Sequence, residues 1–279
     1  MADFSRTLAH LNGAALGVFG VGHLGRVIAS GLIHNDFPIS RLLVCHGGSP
    51  ETAARLAEAG LSERIVQASE LAQRSRIILY LVRPQNLNAI KNCELIKDAL
   101  IISFLAGTPL ARIPVRIVQG NTVRVMPSAP DTIVKSKAIG GVYPPGNPIV
   151  EELLCALGIE QIFLDKESDM HGFTALGVCL PIVLAYWRAQ GKAVDEEELI
   201  DCAQRHGLGN FEKILEWTHG AEPQFETKTE REAYMKKAAT PGGVTEAMID
   251  RIKAGGSLTQ ALESGIHRSE VLSKGFTEK

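Results

Sequence analysis

The stretch that most constrains this chain is residues 16–25, LGVFGVGHLG, where a short apolar run enters a GxGxxG pattern and helical spacing follows at once. Each glycine of such a turn has its own physical task. The first (Gly20) permits the tight turn, the second (Gly22) lets backbone approach a pyrophosphate, and the third (Gly25) lets the helix pack close to the strand. The helix start then presents N–H groups to the anion. A plain glycine-rich turn would need neither the strand before it nor the helix after it. The arrangement therefore predicts a Rossmann-type dinucleotide-binding unit, with Gly20, Gly22, His23, Leu24 and Gly25 as candidate cofactor residues.

The end of the second predicted strand selects the cofactor. Chains that bind NAD place an acid there to hold the ribose hydroxyls. Here the segment reads LVCHGGSP over residues 43–50, with no acid before Glu51. A carboxylate would repel a 2′-phosphate, and its absence leaves room for one. His46, the Gly47 backbone and the Ser49 hydroxyl are the candidate phosphate contacts, although no arginine stands in the turn. NADP(H) is the expected cofactor.

Short β-branched runs at 16–19, 41–45, 77–82 and 100–104 read as buried parallel strands. Helical patterns separate them at 24–33, 50–59 and 84–96, and further short runs at 112–118, 121–125, 138–142 and 161–164 continue the sheet. The fold expected is α/β, a doubly wound sheet over residues 1–165 followed by an all-helical domain over 166–279, the boundary falling in the charged stretch DKESD. In the second part, 173–187 reads as a buried helix, 218–231 as a loop or solvated helix end, and 257–274 as an amphipathic helix with Leu258, Leu262, Ile266 and Val271 on one face. These apolar helices present more surface than the domain can cover alone, which predicts a homodimer.

Bulk properties exclude several classes. With 45% hydrophobic and 22% charged residues and a net charge of −2 over 279 residues, the composition is that of a globular protein without the basic face nucleic acid requires. No signal peptide is apparent, and 173–187 is too short to span a bilayer and contains Pro181, so no membrane partner is expected. Five scattered cysteines without a CxxC pair suit a reduced cytoplasmic setting. The eight histidines lack the HExxH type of ligand spacing, so no metal site is expected.

Further motifs fall in a definite order: VRP at 82–84, FLAG at 104–107, RVMPSAP at 124–130, TAL at 174–176 leading to Pro181, and TPGGVT at 240–245. Together they resemble the pyrroline-5-carboxylate reductases, which reduce a cyclic imine with NAD(P)H, and the likeness runs from Leu16 to about Leu272. It implies a helical C-terminal domain that dimerises and an NADPH-dependent reduction of a C=N bond. It also implies cofactor contacts along Val82, Arg83 and Pro84 and at Leu105 and Ala106. Thr240, Gly243 and Val244 fall where the substrate carboxylate is held, and Thr245 where a hydroxyl stands near the ring. The residues of TPGGVTEAMI agree: Thr240 reads as a helix N-cap with Pro241 in the first turn, and the glycine pair lets a ligand approach the backbone.

The chain departs from that pattern at one place above all. Where relatives carry a serine- and glycine-rich stretch ending in tyrosine, this chain has GVCLPIV over 177–183; Ser128 and Ala239 are further departures. An apolar wall there suits a larger or less polar imine. The alternatives to pyrroline-5-carboxylate reduction are thus reduction of a different imine, or an NADP-binding sensor or assembly protein without turnover.

Overall fold

The computed structural model describes residues 2–114 and 121–275, except for the side chains of Pro84 and residues 236–238. The chain divides into two compact units, Met1–Phe163 and Leu164–Lys279.

The first unit runs α1 (Ser5–Leu11), β1 (Ala15–Phe19), α2 (His23–His34), β2 (Leu42–Cys45), α3 (Pro50–Glu58), α4 (Ala68–Arg74), β3 (Ser75–Tyr80), β4 (Leu100–Ser103), β5 (Thr122–Pro127), α5 (Pro130–Val134), β6 (Ala138–Tyr143), α6 (Pro148–Ala156) and β7 (Ile159–Phe163). The strands form one seven-stranded sheet in the order β2-β1-β3-β4-β5-β6-β7. Both of its faces are covered. Leu16, Val18, Leu42, Val44, Ile77 and Leu79 pack in one layer with Ile28, Ala29 and Leu32 of α2, while Phe19, Leu43, Ile78, Tyr80 and Ile101 pack in the other. Burial on both sides is why these strands are continuous apolar runs rather than alternating ones. Each fully buried Leu or Ile contributes roughly 1.5–3 kcal/mol. The chain leaves β1 toward β2 on one side and returns to β3 on the other, so the strand order reverses at β1. In an open α/β sheet, the carboxyl edge at such a reversal is where ligands bind.

Two expectations are corrected in this unit, and one strand direction that the sequence left open is supplied. β6 pairs antiparallel with β5, so the sheet is not parallel throughout. Segment 84–96 is not an α-helix: it forms 3₁₀ turns over Pro84–Ile90, broken at Asn86, and asparagines compete for the backbone in this way. The expected strand at 112–118 lies mostly outside the described residues, and Arg112 itself closes a 3₁₀ turn.

The second unit contains α7 (Asp169–Phe173), a π-helical turn (Thr174–Val178), α8 (Leu180–Arg188), α9 (Glu196–Arg205), α10 (Phe211–Ala221), α11 (Lys228–Ala238), α12 (Val244–Lys253) and α13 (Leu258–Ser273). The buried helix expected at 173–187 is broken: the segments Asp169–Val178 and Leu180–Arg188 meet at 44°. Pro181 lies in the first turn of α8, where its missing N–H costs nothing. Among the described residues no single helix is long and apolar enough to cross a membrane.

The segment expected to be loop or helix end is more ordered than its polarity suggested. α10 runs to Ala221 and α11 begins in a capping box, with the Glu230 N–H donating to the Thr227 hydroxyl at 3.2 Å. In α13, Leu258, Leu262 and Ile266 are buried within the unit and only Val271 is exposed. α12 covers that face because Gly265 lets it approach; a Cβ there would stand 2.5 Å from Met248 Cγ. The apolar face taken as surplus is therefore satisfied inside the unit.

Candidate functional site

In the first unit, parallel register sets four strand ends level. Phe19 pairs with Cys45 on one side and with Tyr80 on the other, and Tyr80 pairs with Ser103. The segments that follow these ends carry all the cofactor candidates: Gly20, Gly22, His23, Leu24 and Gly25; His46, Gly47 and Ser49; Val82, Arg83 and Pro84; and Leu105 and Ala106. The sheet thus brings four sequence-distant stretches to one carboxyl edge.

The three motif glycines are glycine for different reasons. Gly20 has φ +103, and a Cβ on it would meet Leu81 and Val82 backbone atoms at 2.7 Å. A Cβ on Gly25 would lie 2.2 Å from the Gly20 carbonyl oxygen, so α2 can start this close to β1 only with glycine there. Gly22 differs. It is the N-cap of α2, with extended backbone (φ −80, ψ −154) that any residue adopts, and a Cβ on it would meet nothing within 4 Å. No described protein atom requires glycine at position 22, and the open backbone there leaves room for a ligand to lie against it. α2 also begins without a side-chain cap, which leaves its first N–H groups oriented for an anion. The residues fit a dinucleotide pyrophosphate.

At the end of β2, the His46 Nδ1 accepts from the Gly48 N–H at 3.1 Å. An Nδ1 that accepts leaves the ring proton on Nε2, which is then a donor. Ser49 is the N-cap of α3 but makes no side-chain cap bond, and Gly47, Gly48 and Ser49 are exposed. Beyond β3, the Tyr80 hydroxyl donates to the Leu87 carbonyl at 2.8 Å and pins the 3₁₀ segment that follows Val82 and Arg83. Burial pushes that phenol up to about 12. Arg83 is exposed and Leu105 buried, and the Pro84 side chain lies outside the described residues.

In the second unit, the TPGGVT segment is built differently from the helix start read in the sequence. Thr240 is not an N-cap: the N-cap of α12 is Gly243. The Gly243 N–H donates to the Thr240 carbonyl at 2.8 Å, with Pro241 and Gly242 (φ +68) at the corners, which is a type II turn. A Cβ on Gly243 would stand 2.8 Å from the Thr240 oxygen. The turn itself therefore accounts for both glycines, and their cost in helix stability is no argument for a ligand. The Gly242 N–H already donates to the Glu246 carboxylate at 2.6 Å, and the Arg268 Nε donates to the Gly242 carbonyl at 2.6 Å. Thr240 is exposed, Gly243 partly buried, and Val244 buried.

Thr245, in the first turn of α12, is buried, and its hydroxyl is hydrogen-bonded to the Cys179 thiol. Cys179 joins the π-helical turn to α8. Burial pushes its thiol up to about 11, and the Thr245 hydrogen bond only partly offsets this. Cys179 is thus a neutral thiol with little nucleophilic character at neutral pH. Sequence reading marked residue 179 as a departure from a pattern but did not connect it to Thr245, 66 positions on in the chain.

The second unit also brings together Cys202, His206 and Glu263, whose ligand atoms all lie within 4.8 Å of one another. Sequence spacing carried no sign of it, because the carboxylate comes from 57 positions beyond the histidine.

Residues 15–107 match the family model described as NADP oxidoreductase, coenzyme F420-dependent. A pyrroline-5-carboxylate reductase of Methanosarcina acetivorans is 35% identical over 94 residues, 32% of this chain and 34% of that protein. One of Vibrio alginolyticus is 23% identical over 275 residues, 92% of this chain and 97% of that protein. The chain is similar to the pyrroline-5-carboxylate reductases. The fold is shared as well: the Plasmodium falciparum pyrroline carboxylate reductase, a structure with NADP bound, has a TM-score of 0.53 at 20% identity, covering 93% of this chain and 98% of that one. The pyrroline-5-carboxylate reductase-like pattern is thus firmest over the dinucleotide motifs. The sites that depart from it, Cys179 and Leu180, lie in the second unit.

Proposed function

We propose that the chain is an NADPH-dependent reductase of the C=N bond of a cyclic imine. The observation that carries this reading is Gly22, a glycine with no protein atom within 4 Å of where its side chain would stand, at the carboxyl edge to which four motif segments lead. Bound NADPH would supply a hydride. Gly20, Gly22, His23, Leu24 and Gly25 hold the pyrophosphate, and His46, Gly47 and Ser49 take the 2′-phosphate through the imidazole Nε2–H and the free serine hydroxyl. Val82, Arg83, Pro84, Leu105 and Ala106 carry the cofactor's further course.

We assign the imine to Thr240, Gly243, Val244 and Thr245. With its hydroxyl hydrogen-bonded to Cys179, Thr245 keeps a lone pair that can accept a substrate N–H. A protonated iminium and the amine product both supply one, so Thr245 orients the nitrogen rather than delivering a proton. The substrate carboxylate would dock at the uncapped start of α12.

Incubation of the purified protein with NADPH and pyrroline-5-carboxylate tests the reading: cofactor oxidation is expected, and its absence at micromolar enzyme removes this substrate. A second substrate reading has its own support. The Glu246 carboxylate on the Gly242 N–H opposes another carboxylate at the same turn, and Cys179 and Leu180, buried where the related pattern is polar, are apolar, which favours a less polar imine. Turnover of carboxylate-free cyclic imines above pyrroline-5-carboxylate would select it. NADPH binding without turnover on either would leave the sensor or assembly role.

The resemblance supports a homodimer through the second unit, to be checked by light scattering; a monomer at micromolar concentration contradicts it. A cytoplasmic location agrees with five free cysteines.

A further inference from the structure

The geometry points to a binding site for a thiophilic divalent cation, zinc by its donor set, formed by Cys202, His206 and Glu263 in the second unit. None of these three residues is among those assigned above to cofactor and imine.

The first two ligands come from the end of α9. Cys202 lies in its last turn and His206 is its C-cap residue, a spacing of four that puts both on one face. The end is rigidly built. The Leu208 N–H donates to the Ala203 carbonyl at 3.0 Å and the Gly207 N–H to the Gln204 carbonyl at 3.2 Å, with Gly207 at φ +79. This is a Schellman closure, and it fixes the backbone that carries His206. α7 holds the same point from another side, where a Cβ on Gly172 would meet the His206 carbonyl at 2.9 Å. The third ligand, Glu263, comes from α13, which packs against α9.

Distances suit one ion. The Cys202 Sγ lies 3.7 Å from Glu263 Oε1, and His206 Nε2 lies 2.9 Å from Glu263 Oε2. Tetrahedral zinc, with about 2.3 Å to sulfur and about 2.0–2.1 Å to nitrogen or oxygen, separates sulfur from oxygen by about 3.6 Å and nitrogen from oxygen by about 3.3 Å. The carboxylate withdraws from the imidazole by a few tenths of an ångström, and the sulfur, within 4.8 Å of both partners, closes on the ion.

The electrostatics agree. A helix C-terminus carries partial negative charge and favours a cation. One thiolate and one carboxylate balance a divalent charge, and the sulfur selects zinc over calcium or magnesium. Cys202 is wholly buried at the base, whereas the His206 and Glu263 side chains are 26% and 43% exposed, so an ion has a route in. The opposing group is Arg205, whose guanidinium lies 3.6 Å from Glu263 but is itself 55% exposed and free to turn outward. On binding, the Cys202 S–H bond breaks, its proton passes to water, and a sulfur–metal bond forms. The Glu263 and His206 lone pairs add two more, water completes the fourth position, and no oxidation state changes.

The test uses the full chain, stripped with a chelator and titrated with cobalt. One equivalent is expected to give tetrahedral visible bands and a near-ultraviolet thiolate-to-cobalt band, both removed by one equivalent of zinc. Cys202→Ser should abolish the thiolate band, and His206→Gln and Glu263→Gln should each weaken zinc by about 100-fold or more. Glu263→Gln retains hydrogen-bonding capacity toward His206, so its folded state can be verified by circular dichroism if a ligand-deleted variant fails to fold. Folded wild-type protein without cobalt bands at stoichiometric metal overturns the proposal. So does a thiolate band that survives in Cys202→Ser, since another cysteine would then hold the ion.

Discussion

Replacing Gly22 with alanine separates a glycine that serves the fold from one that serves a ligand. The backbone at 22 is already extended and the new methyl would meet no protein atom within 4 Å. Two small effects oppose each other. Stiffening of the unfolded chain stabilises by about 0.4–1 kcal/mol, while alanine is a poorer N-cap than glycine by roughly 1 kcal/mol at most. They nearly cancel, so the melting temperature should move by less than about 3 °C. The bound pyrophosphate, by contrast, would have to retreat from a methyl set between it and the start of α2. An expected loss of about 100-fold in NADPH affinity corresponds to about 2.7 kcal/mol. Gly25→Ala is the comparator. Its methyl would press 2.2 Å from the Gly20 carbonyl, an overpacking cost of about 1–3 kcal/mol that should lower the melting temperature by several degrees. Fluorescence titration with NADPH and thermal unfolding read both quantities on both variants. The reasoning is refuted if Gly22→Ala binds NADPH within about threefold of wild type. It is equally refuted if Gly22→Ala melts as low as Gly25→Ala, for position 22 would then be needed by the protein itself.

Three further outcomes are expected. His46→Ala removes the Nε2–H donor and should shrink the preference for NADPH over NADH by about 10-fold or more, a charge-assisted bond being worth about 1.5–3 kcal/mol; the ratio of the two KM values reads it. Thr245→Val should lower kcat by about 10-fold or more on the accepted imine while NADPH binding stays unchanged. If both constants stay at wild-type values, the hydroxyl has no part in the reaction. The Cys179 thiol, raised from its ordinary 9.0 to about 11 in the folded chain, keeps its proton longer there than when unfolded. Its contribution is fully present below pH 9 and disappears as pH rises through 11, at roughly 1.4 kcal/mol per pH unit within that window. Denaturant unfolding across this range should show a shallower fall for Cys179→Ser, whose hydroxyl does not titrate there; identical slopes would contradict the assignment.

The sheet was legible because strands buried on both faces leave runs such as LIIS and RIILY that little else explains. The direction of β6 was not legible. AIGGVY is buried like its neighbours, and an apolar run reads the same whichever way its partner points. Local chemistry also misled at Thr240-Pro241-Gly242. Proline followed by glycine suits the corners of a type II turn as well as it suits the entry to a helix, and only the Gly243 hydrogen bond separates the two. The cofactor candidates could be named because each lies in a strand-end segment whose position the fold dictates. The pairing of Cys179 with Thr245, and the meeting of Cys202, His206 and Glu263, depend on helix packing that no local pattern encodes.

The π-helical turn at Thr174–Val178 sets which residue of the following helix faces inward. Its defining bond, from the Cys179 N–H to the Thr174 carbonyl at 3.0 Å, spans five residues rather than four. One extra residue in an α-helix advances everything beyond it by about 100° around the axis. The insertion acts as a phase shift: with it, the chain presents a thiol to the Thr245 hydroxyl. Removing a single residue between 174 and 178 would leave every side chain of α8 intact but turn a different one toward that hydroxyl, so the chemistry of this wall is set by chain length as much as by composition.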